Sequence, residues 1–148
     1  MEILSLIKSG RFVWGGAAVA NASNTDDNST RLHMGRYQNV VFITSIEDSA
    51  AGGVATLKVE GNTIDSDTGM TLLTGASAAK TCTVNDDING KLLIVECRNV
   101  RGPYVQGVRT SATANIAFGS IIAIFFNGSV SPVTLDTTVA TATVVVGP

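Results

Sequence analysis

The stretch RGPYVQGVRTSATANIAFGSIIAIFFNGS, residues 101–129, decides the fold. It contains two segments typical of β-strands, 104–110 and 116–126, joined by small residues. It contains no Asp, Glu, His or Cys, so its apolar side chains have no chemistry of their own to perform. We therefore expect two strands whose side chains fill the interior of a β-sandwich, with the second strand interrupted at Gly119-Ser120.

Similar patterns occur on the N-terminal side of this pair. The other predicted strands are 11–20, 40–46, 54–61 and 91–98. Residues 40–46 are nearly all β-branched or aromatic, which predicts a central strand covered on both faces. In the strand at 54–61, Ala55, Leu57 and Val59 alternate with polar residues, which predicts one exposed face.

The first predicted strand carries its own signals. Phe12 and Trp14 occupy alternate positions and therefore lie on one face of the strand. The pair Gly15-Gly16 that follows predicts a β-bulge or a close approach of the backbone.

Four regions have weaker patterns. Residues 21–30 predict a long polar loop, and residues 61–81 predict at most a short strand or a helical turn near 70–74. Residues 131–148 are rich in Thr and Val with one charge, so they predict a strand that is covered by the domain's own sheet or by another chain. Residues 1–10 predict a short first strand or an arm that docks on a neighbour.

These patterns predict an all-β fold, an antiparallel β-sandwich that is jelly-roll-like, with about eight strands and extended termini. The 148 residues suit one core, and a composition that is 45% hydrophobic but 5% aromatic suits β-strands and turns. We expect residues 11–130 to form the sandwich domain, 1–10 an N-terminal arm or short strand, and 131–148 a C-terminal strand or arm.

The charge pattern excludes several partners. The formal net charge is −2, with both signs interspersed, so we expect no nucleic-acid partner. The opening MEILSLIKSG does not resemble a signal peptide, and the longest apolar run, 121–126, is far below the roughly 20 residues that span a bilayer. We therefore expect a protein made in the cytoplasm, with no membrane partner.

The residue types that carry chemistry are few and scattered. His33 has no nucleophile motif beside it, and one His with Cys82 and Cys97 makes a poor metal site. The two Cys predict small, half-buried hydrophobes, with a bridge as the alternative. The acid pairs Asp26-Asp27 and Asp86-Asp87 predict solvated loops, because neighbouring side chains point apart.

The stretch DSDTG at 65–69 resembles the start of a calcium loop, but its glycine stands one place too early and Ala76 occupies the position of the bidentate Glu. It predicts a turn made by Asp side chains that bond to nearby backbone amides. We accordingly expect no enzymatic activity, no cofactor and no metal.

Arginines at strand ends and the terminal segments, which carry few charges, are the candidates for contact with partners. Each arginine is equally consistent with a solvated surface position. The candidate interface residues are Ile3, Leu4, Leu6, Ile7, Arg31, Arg36, Arg101, Tyr104, Val133, Leu135, Val139, Val144 and Val146.

The order of elements over residues 11–127 resembles that of small cement or decoration proteins of tailed-bacteriophage capsids. The segments that carry the resemblance are LHMGRYQNVVFITSI, GGVATLKVEG and GPYVQGVRTSATANIAFGSIIAIFF. In that class, a single jelly-roll-like sandwich sits on the outside of the head and clamps neighbouring major capsid subunits.

The resemblance implies a virion structural protein on the outer capsid surface that binds the major capsid protein as a homo-oligomer, either a dimer or a trimer. Loop acids and Trp14 leave a second possibility open, a tail or fibre module that binds a receptor glycan.

Overall fold

In the computed structural model, which describes residues 10–127 and 138–146, the chain forms eleven β-strands and no helix within that part of the sequence. The strands are β1 (Arg11–Gly16), β2 (Val19–Ala22), β3 (Thr25–Asn28), β4 (Leu32–His33), β5 (Asn39–Ser49), β6 (Val54–Asn62), β7 (Thr71–Thr81), β8 (Leu92–Arg98), β9 (Tyr104–Ala112), β10 (Ile116–Phe126) and β11 (Val139–Val146). Accordingly, the described part of the chain holds no helix that is long and apolar enough to cross a membrane.

The strands form two sheets that pack face to face. Sheet I has the order β1-β10-β5-β8-β11, with β2 also paired to β10, and sheet II has the order β3-β9-β6-β7, with β4 also paired to β9. If β1 with β2 and β3 with β4 are each counted as one interrupted strand, the first eight strands run 1-8-3-6 and 2-7-4-5. This is the strand order of a jelly roll, so the predicted all-β sandwich is confirmed.

The core lies between the sheets and follows the predicted alternation. On β6, Ala55, Leu57 and Val59 are all buried, and Phe42 of β5 is among the largest fully buried side chains. The outward side of β5 is only half-buried at Val41 and its neighbours, so the prediction that this strand is covered on both faces was wrong.

Glycines mark the irregular points of sheet I, as predicted. The pairing of β1 with β10 shifts between Trp14 and Gly16, and the pairing of β10 with β5 shifts between Phe118 and Ile121. The breaks occur where the sequence places Gly15-Gly16 and Gly119-Ser120, which is the position expected of β-bulges.

Two predictions about irregular segments were wrong. The predicted loop 21–30 contains β3, whose polar residues pair with β9 at the edge of sheet II. The predicted short strand or helical turn within 61–81 is the eleven-residue strand β7, which pairs with β6. Its inward residues, Ala76 and Ala78, are small, and small residues give little β-strand signal.

The C-terminal segment is a strand over residues 139–146. It runs parallel to β8 at the edge of sheet I, so sheet I is mixed at this one pair, while the other pairs of the described strands are antiparallel. The predicted N-terminal arm and the predicted contact residues Ile3, Leu4, Leu6, Ile7, Val133 and Leu135 lie outside the described residues.

The two cysteines are free, as the simpler interpretation predicted, and they are fully buried rather than half-buried. Cys97 lies on β8, and Cys82 lies just after the end of β7. Burial raises the pKa of the Cys97 thiol to about 12, so the thiol stays protonated.

Candidate interaction surface

The outward side of sheet I carries a continuous group of apolar side chains. Trp14 is 65% exposed, Phe12 48% and Ile122 42%, although all three belong to regular strands. Single exposed apolar residues are normal on a protein surface, whereas contiguous ones mark interaction sites.

Strand register shows that these side chains are neighbours. One row across the sheet joins Trp14, Ile122, Ile43 and Ile94, and the next joins Phe12, Ile124, Val41 and Glu96. Directly paired residues of neighbouring strands point to the same side of a sheet. We call the seven apolar residues of these rows, Phe12, Trp14, Val41, Ile43, Ile94, Ile122 and Ile124, the outer apolar face.

Polar groups surround the outer apolar face without giving it a strong charge. Glu96 closes the second row and pairs with Arg98, with 2.5 Å between Nε and Oε1. Ser45, on the next position of β5, donates to Glu47. An apolar centre with a polar rim is the arrangement typical of protein–protein interfaces.

Four predicted contact residues lie together at one end of the sandwich, and two of them contact other residues of the chain there. Arg31 pairs with Asp67 and with Asp65, the latter at 2.8 Å between Nε and Oδ1. Tyr104 stacks edge-on against His33, with 4.9 Å between ring centroids. Arg36 and Arg101 are exposed loop residues at the same end.

The remaining predicted contacts belong to β11. Val144 is 58% exposed and pairs with Glu96, so it stands at the edge of the outer apolar face. Val139 is half-buried, and Val146 lies in the strand. Whether any of these residues touches a partner stays a prediction.

Sequence reasoning placed Phe12 and Trp14 on one face but did not include them among the contact residues. The available signal was their alternation, together with Ile122 and Ile124 at alternate positions of the apolar run 121–126. From the sequence, that run was assigned to the interior of the sandwich, so its outward half was not considered as a contact surface.

The residues weighed for catalysis are held apart. His33 belongs to β4 and pairs with Tyr104, whereas Asp86 and Asp87 follow β7 at the opposite end, where the Asp86 amide donates to the Ser49 carbonyl. The His33 Nδ1 atom accepts from the Gly35 amide at 2.8 Å. These groups therefore do not converge on one site.

The Asp87 carboxylate has a local structural role. It accepts from the Thr83 hydroxyl at 2.5 Å and from the amides of Thr83 and Val84 at 3.0 and 3.2 Å. These donors, above all the Thr83 hydroxyl, lower the pKa of Asp87 well below its usual range.

The other acidic motifs also proved structural, and not in the way predicted. Asp27 lies on β3 rather than in a loop and pairs with the buried Arg109. In the DSDTG turn, both carboxylates bind Arg31, while the Ser66 hydroxyl oxygen accepts from the Thr68 amide at 3.1 Å. Within the described ranges, no three His, Cys, Asp or Glu side chains stand together as a metal site.

A shallow depression of about 320 Å³ lies beside this turn, between the end of β6 and the start of β7. Its main polar group is Asn62, whose side-chain amide already donates to the carbonyls of Ser66 and Thr68 at 2.9 and 3.1 Å. The depression is therefore shaped by its own loop and offers few unused polar groups.

Comparison with known proteins adds a fold-level likeness. No family model matches the chain, and no curated protein matches it. Among solved structures, it is similar to the SPBc2 prophage-derived protein YomS, with a TM-score of 0.44 and 9% identity over 80% of this chain and 93% of that chain. The likeness is to a prophage-derived protein and is confined to general architecture.

Proposed function

We propose that this protein is a capsid cement protein of a tailed bacteriophage, which binds the major capsid protein on the outside of the head as a dimer or trimer. It acts by binding and not by catalysis, after being made in the host cytoplasm. The observation that supports the proposal best is the outer apolar face, a neutral apolar surface on a rigid sandwich. The proposed partner, the major capsid protein, comes from the resemblance of the element order over residues 11–127 to that of capsid cement proteins.

The size of the outer apolar face suits a lattice partner. With strands about 4.8 Å apart and two rows of side chains, the face covers a few hundred Å². A stable two-body interface buries about 800 Å² on each partner, so one such face alone supports only weak binding. An oligomer that engages several lattice sites at once gains affinity from multivalency.

Stabilisation then follows from mass action. A protein that binds the assembled shell, and not the separated subunits, favours the shell by an amount that grows with its concentration relative to Kd. No active site is needed for this effect. The exposed Trp14, 65% accessible, supplies the type of aromatic anchor that dominates interface energetics.

The test is co-sedimentation with phage heads that lack the protein, comparing the natural chain with Trp14→Ser and Ile122→Thr. We expect each substitution to weaken binding about tenfold, because each removes apolar area from the centre of the face. Ile64→Ser is the matched control, since Ile64 is 60% exposed but lies in the loop between β6 and β7. Absence of binding by the natural chain would remove the cement function.

A second candidate is a tail or fibre module that binds a receptor glycan, and Trp14 is the observation that favours it. An exposed indole ring can stack on a sugar ring. A glycan array separates the two: saturable glycan binding that is lost in Trp14→Ser, with no binding to heads, favours the tail module. Binding to heads without glycan binding favours the cement protein.

A further inference from the structure

The strand β11 is an addition to a fold that is already complete. The jelly-roll order of both sheets is fulfilled by β1 to β10, and β11 extends sheet I beyond β8 as an edge strand. Among the described strands, its pairing with β8 is the one parallel pairing of the molecule. Addition of a strand to a free sheet edge is a common mode of peptide recognition.

The site that receives β11 is the edge of β8 together with the neighbouring part of β7. We call it the β8 groove. The Thr143 hydroxyl donates to the Ser77 carbonyl at 2.9 Å. Val145 lies over Gly75: a Cβ added to Gly75 would stand 3.6 Å from the Val145 Cγ2 methyl group. None of the described β11 side chains is fully buried, whereas β5, β8 and β10 each contain several fully buried side chains.

The chain length between β10 and β11 permits exchange between molecules. β11 lies three strands away from β10 in sheet I, and it starts at the opposite end of the sheet from the end of β10. The direct distance between these two points is roughly 27 Å. Residues 127–138 separate the strands, and a chain of that length can reach about 45 Å when extended. The surplus lets a strand reach the groove of an adjacent molecule.

We infer that the β8 groove is a strand-exchange site, filled by β11 of the same chain in the monomer and by β11 of a second copy in the oligomer. The second copy offers an identical strand in an identical register, so no new contact is needed. The strand Val139–Val146 carries no charged residue, so no like-charge repulsion opposes its transfer. This inference specifies how copies associate and stands apart from the choice of head or glycan as partner.

The test uses two single variants of the full chain, Glu96→Cys and Val144→Cys. These positions pair directly in the β8–β11 register, and Val144 is exposed. The variants are mixed in equal amounts, unfolded and refolded together, and oxidised. We expect a disulfide-linked dimer that contains one chain of each kind and whose yield rises with protein concentration.

Two controls fix the meaning of the result. Glu96→Cys mixed with Val139→Cys is out of register, because Val139 pairs with Leu92, and it should give about tenfold less mixed dimer. The buried Cys97 thiol, with its pKa raised to about 12, is a poor competitor in every sample. The double variant Glu96→Cys/Val144→Cys should close a bond within one chain, which reports the register itself.

Two outcomes would overturn the inference. The first is an equal yield of mixed dimer from the Val144→Cys pair and the Val139→Cys pair. The second is a disulfide within the chain of the double variant together with no mixed dimer from the Glu96→Cys and Val144→Cys pair. No heads are present in this assay. Its failure is therefore distinguishable from failure of the cement function, which is read from sedimentation.

Discussion

Arg109 joins the two sheets from inside the sandwich. Its side chain is 2% exposed, and one guanidinium nitrogen donates to the carbonyls of Gly119 at 2.6 Å and Ala17 at 2.8 Å, while the other pairs with Asp27. Gly119 belongs to sheet I, whereas Asp27 and Arg109 belong to sheet II. Arg109 is therefore part of the core and links the two sheets.

We expect Arg109→Met to lower the free energy of unfolding by about 3 kcal/mol. The Ala17 carbonyl and the Asp27 carboxylate lose this donor, and the Gly119 carbonyl keeps only the Thr44 hydroxyl, which donates to it at 3.1 Å. Urea unfolding followed by fluorescence measures the change. Asp26→Asn is the control: Asp26 is exposed on the same strand and takes no part in this ion pair, so its loss of charge should cost about 1 kcal/mol or less. Equal effects of the two substitutions would contradict the assigned role of the carbonyl bonds.

Asp87 makes the fold sensitive to acid. Because its pKa is lowered in the folded state, the carboxylate contributes stability above its unfolded pKa of about 4, and this contribution is lost as pH falls through the lower folded value. We expect the natural chain to be more stable than Asp87→Asn at neutral pH and the difference to shrink steadily below about pH 4.

Urea midpoints at several pH values between 7 and about 2 measure this difference. Asp26→Asn, at an exposed position of β3, is the control for loss of one carboxylate. A difference between the natural chain and Asp87→Asn that stays constant across this range would show that the bonds to Thr83 and Val84 do not depend on ionisation.

At the scale of elements, the sequence predicts strands best where apolar side chains alternate with polar ones or form a dense run. β6 and β8 have the first pattern and β10 the second, and the bounds of all three agree with the prediction to within one residue. β3 and β7 were missed because a polar strand and a strand of small residues have no apolar alternation, and pairing with β9 and β6 decides their structure. The parallel addition of β11 depends on which sheet edge is free, which no local pattern records.

The outer apolar face was missed for a related reason. An apolar run such as 121–126 gives the same signal whether its second face is covered or open. Only the register that aligns Ile122 with Trp14 and Ile43 shows that the open half is continuous across strands.

Gly107 sets the distance between the sheets. A Cβ at this position of β9 would lie 2.5 Å from Ile121 of β10 and 2.8 Å from Phe42 of β5. We expect Gly107→Ala to lower the free energy of unfolding by about 2 kcal/mol, because the opposing side chains must shift. Adding Phe42→Leu should recover part of that loss in a double-mutant cycle, and additive losses would contradict the contact.

At the scale of the whole molecule, two surfaces compete for the role of partner contact. The outer apolar face is neutral, since Glu96 pairs with Arg98 at its rim. The other surface is the end of the sandwich that holds the exposed loop residues Arg36 and Arg101, which we call the loop end; both arginines are among the predicted contact residues. The two surfaces differ in how binding responds to salt, because screening weakens attraction between exposed charges and leaves apolar contact nearly unchanged.

We expect binding to heads to change less than about twofold between roughly 50 mM and 500 mM salt. Arg36→Ser/Arg101→Ser should bind like the natural chain, while Trp14→Ser should bind weakly at both salt concentrations. Sedimentation at both concentrations measures all three. Binding that falls steeply with salt and is lost in the double arginine variant would place the contact at the loop end, because only a charged surface loses affinity in that way.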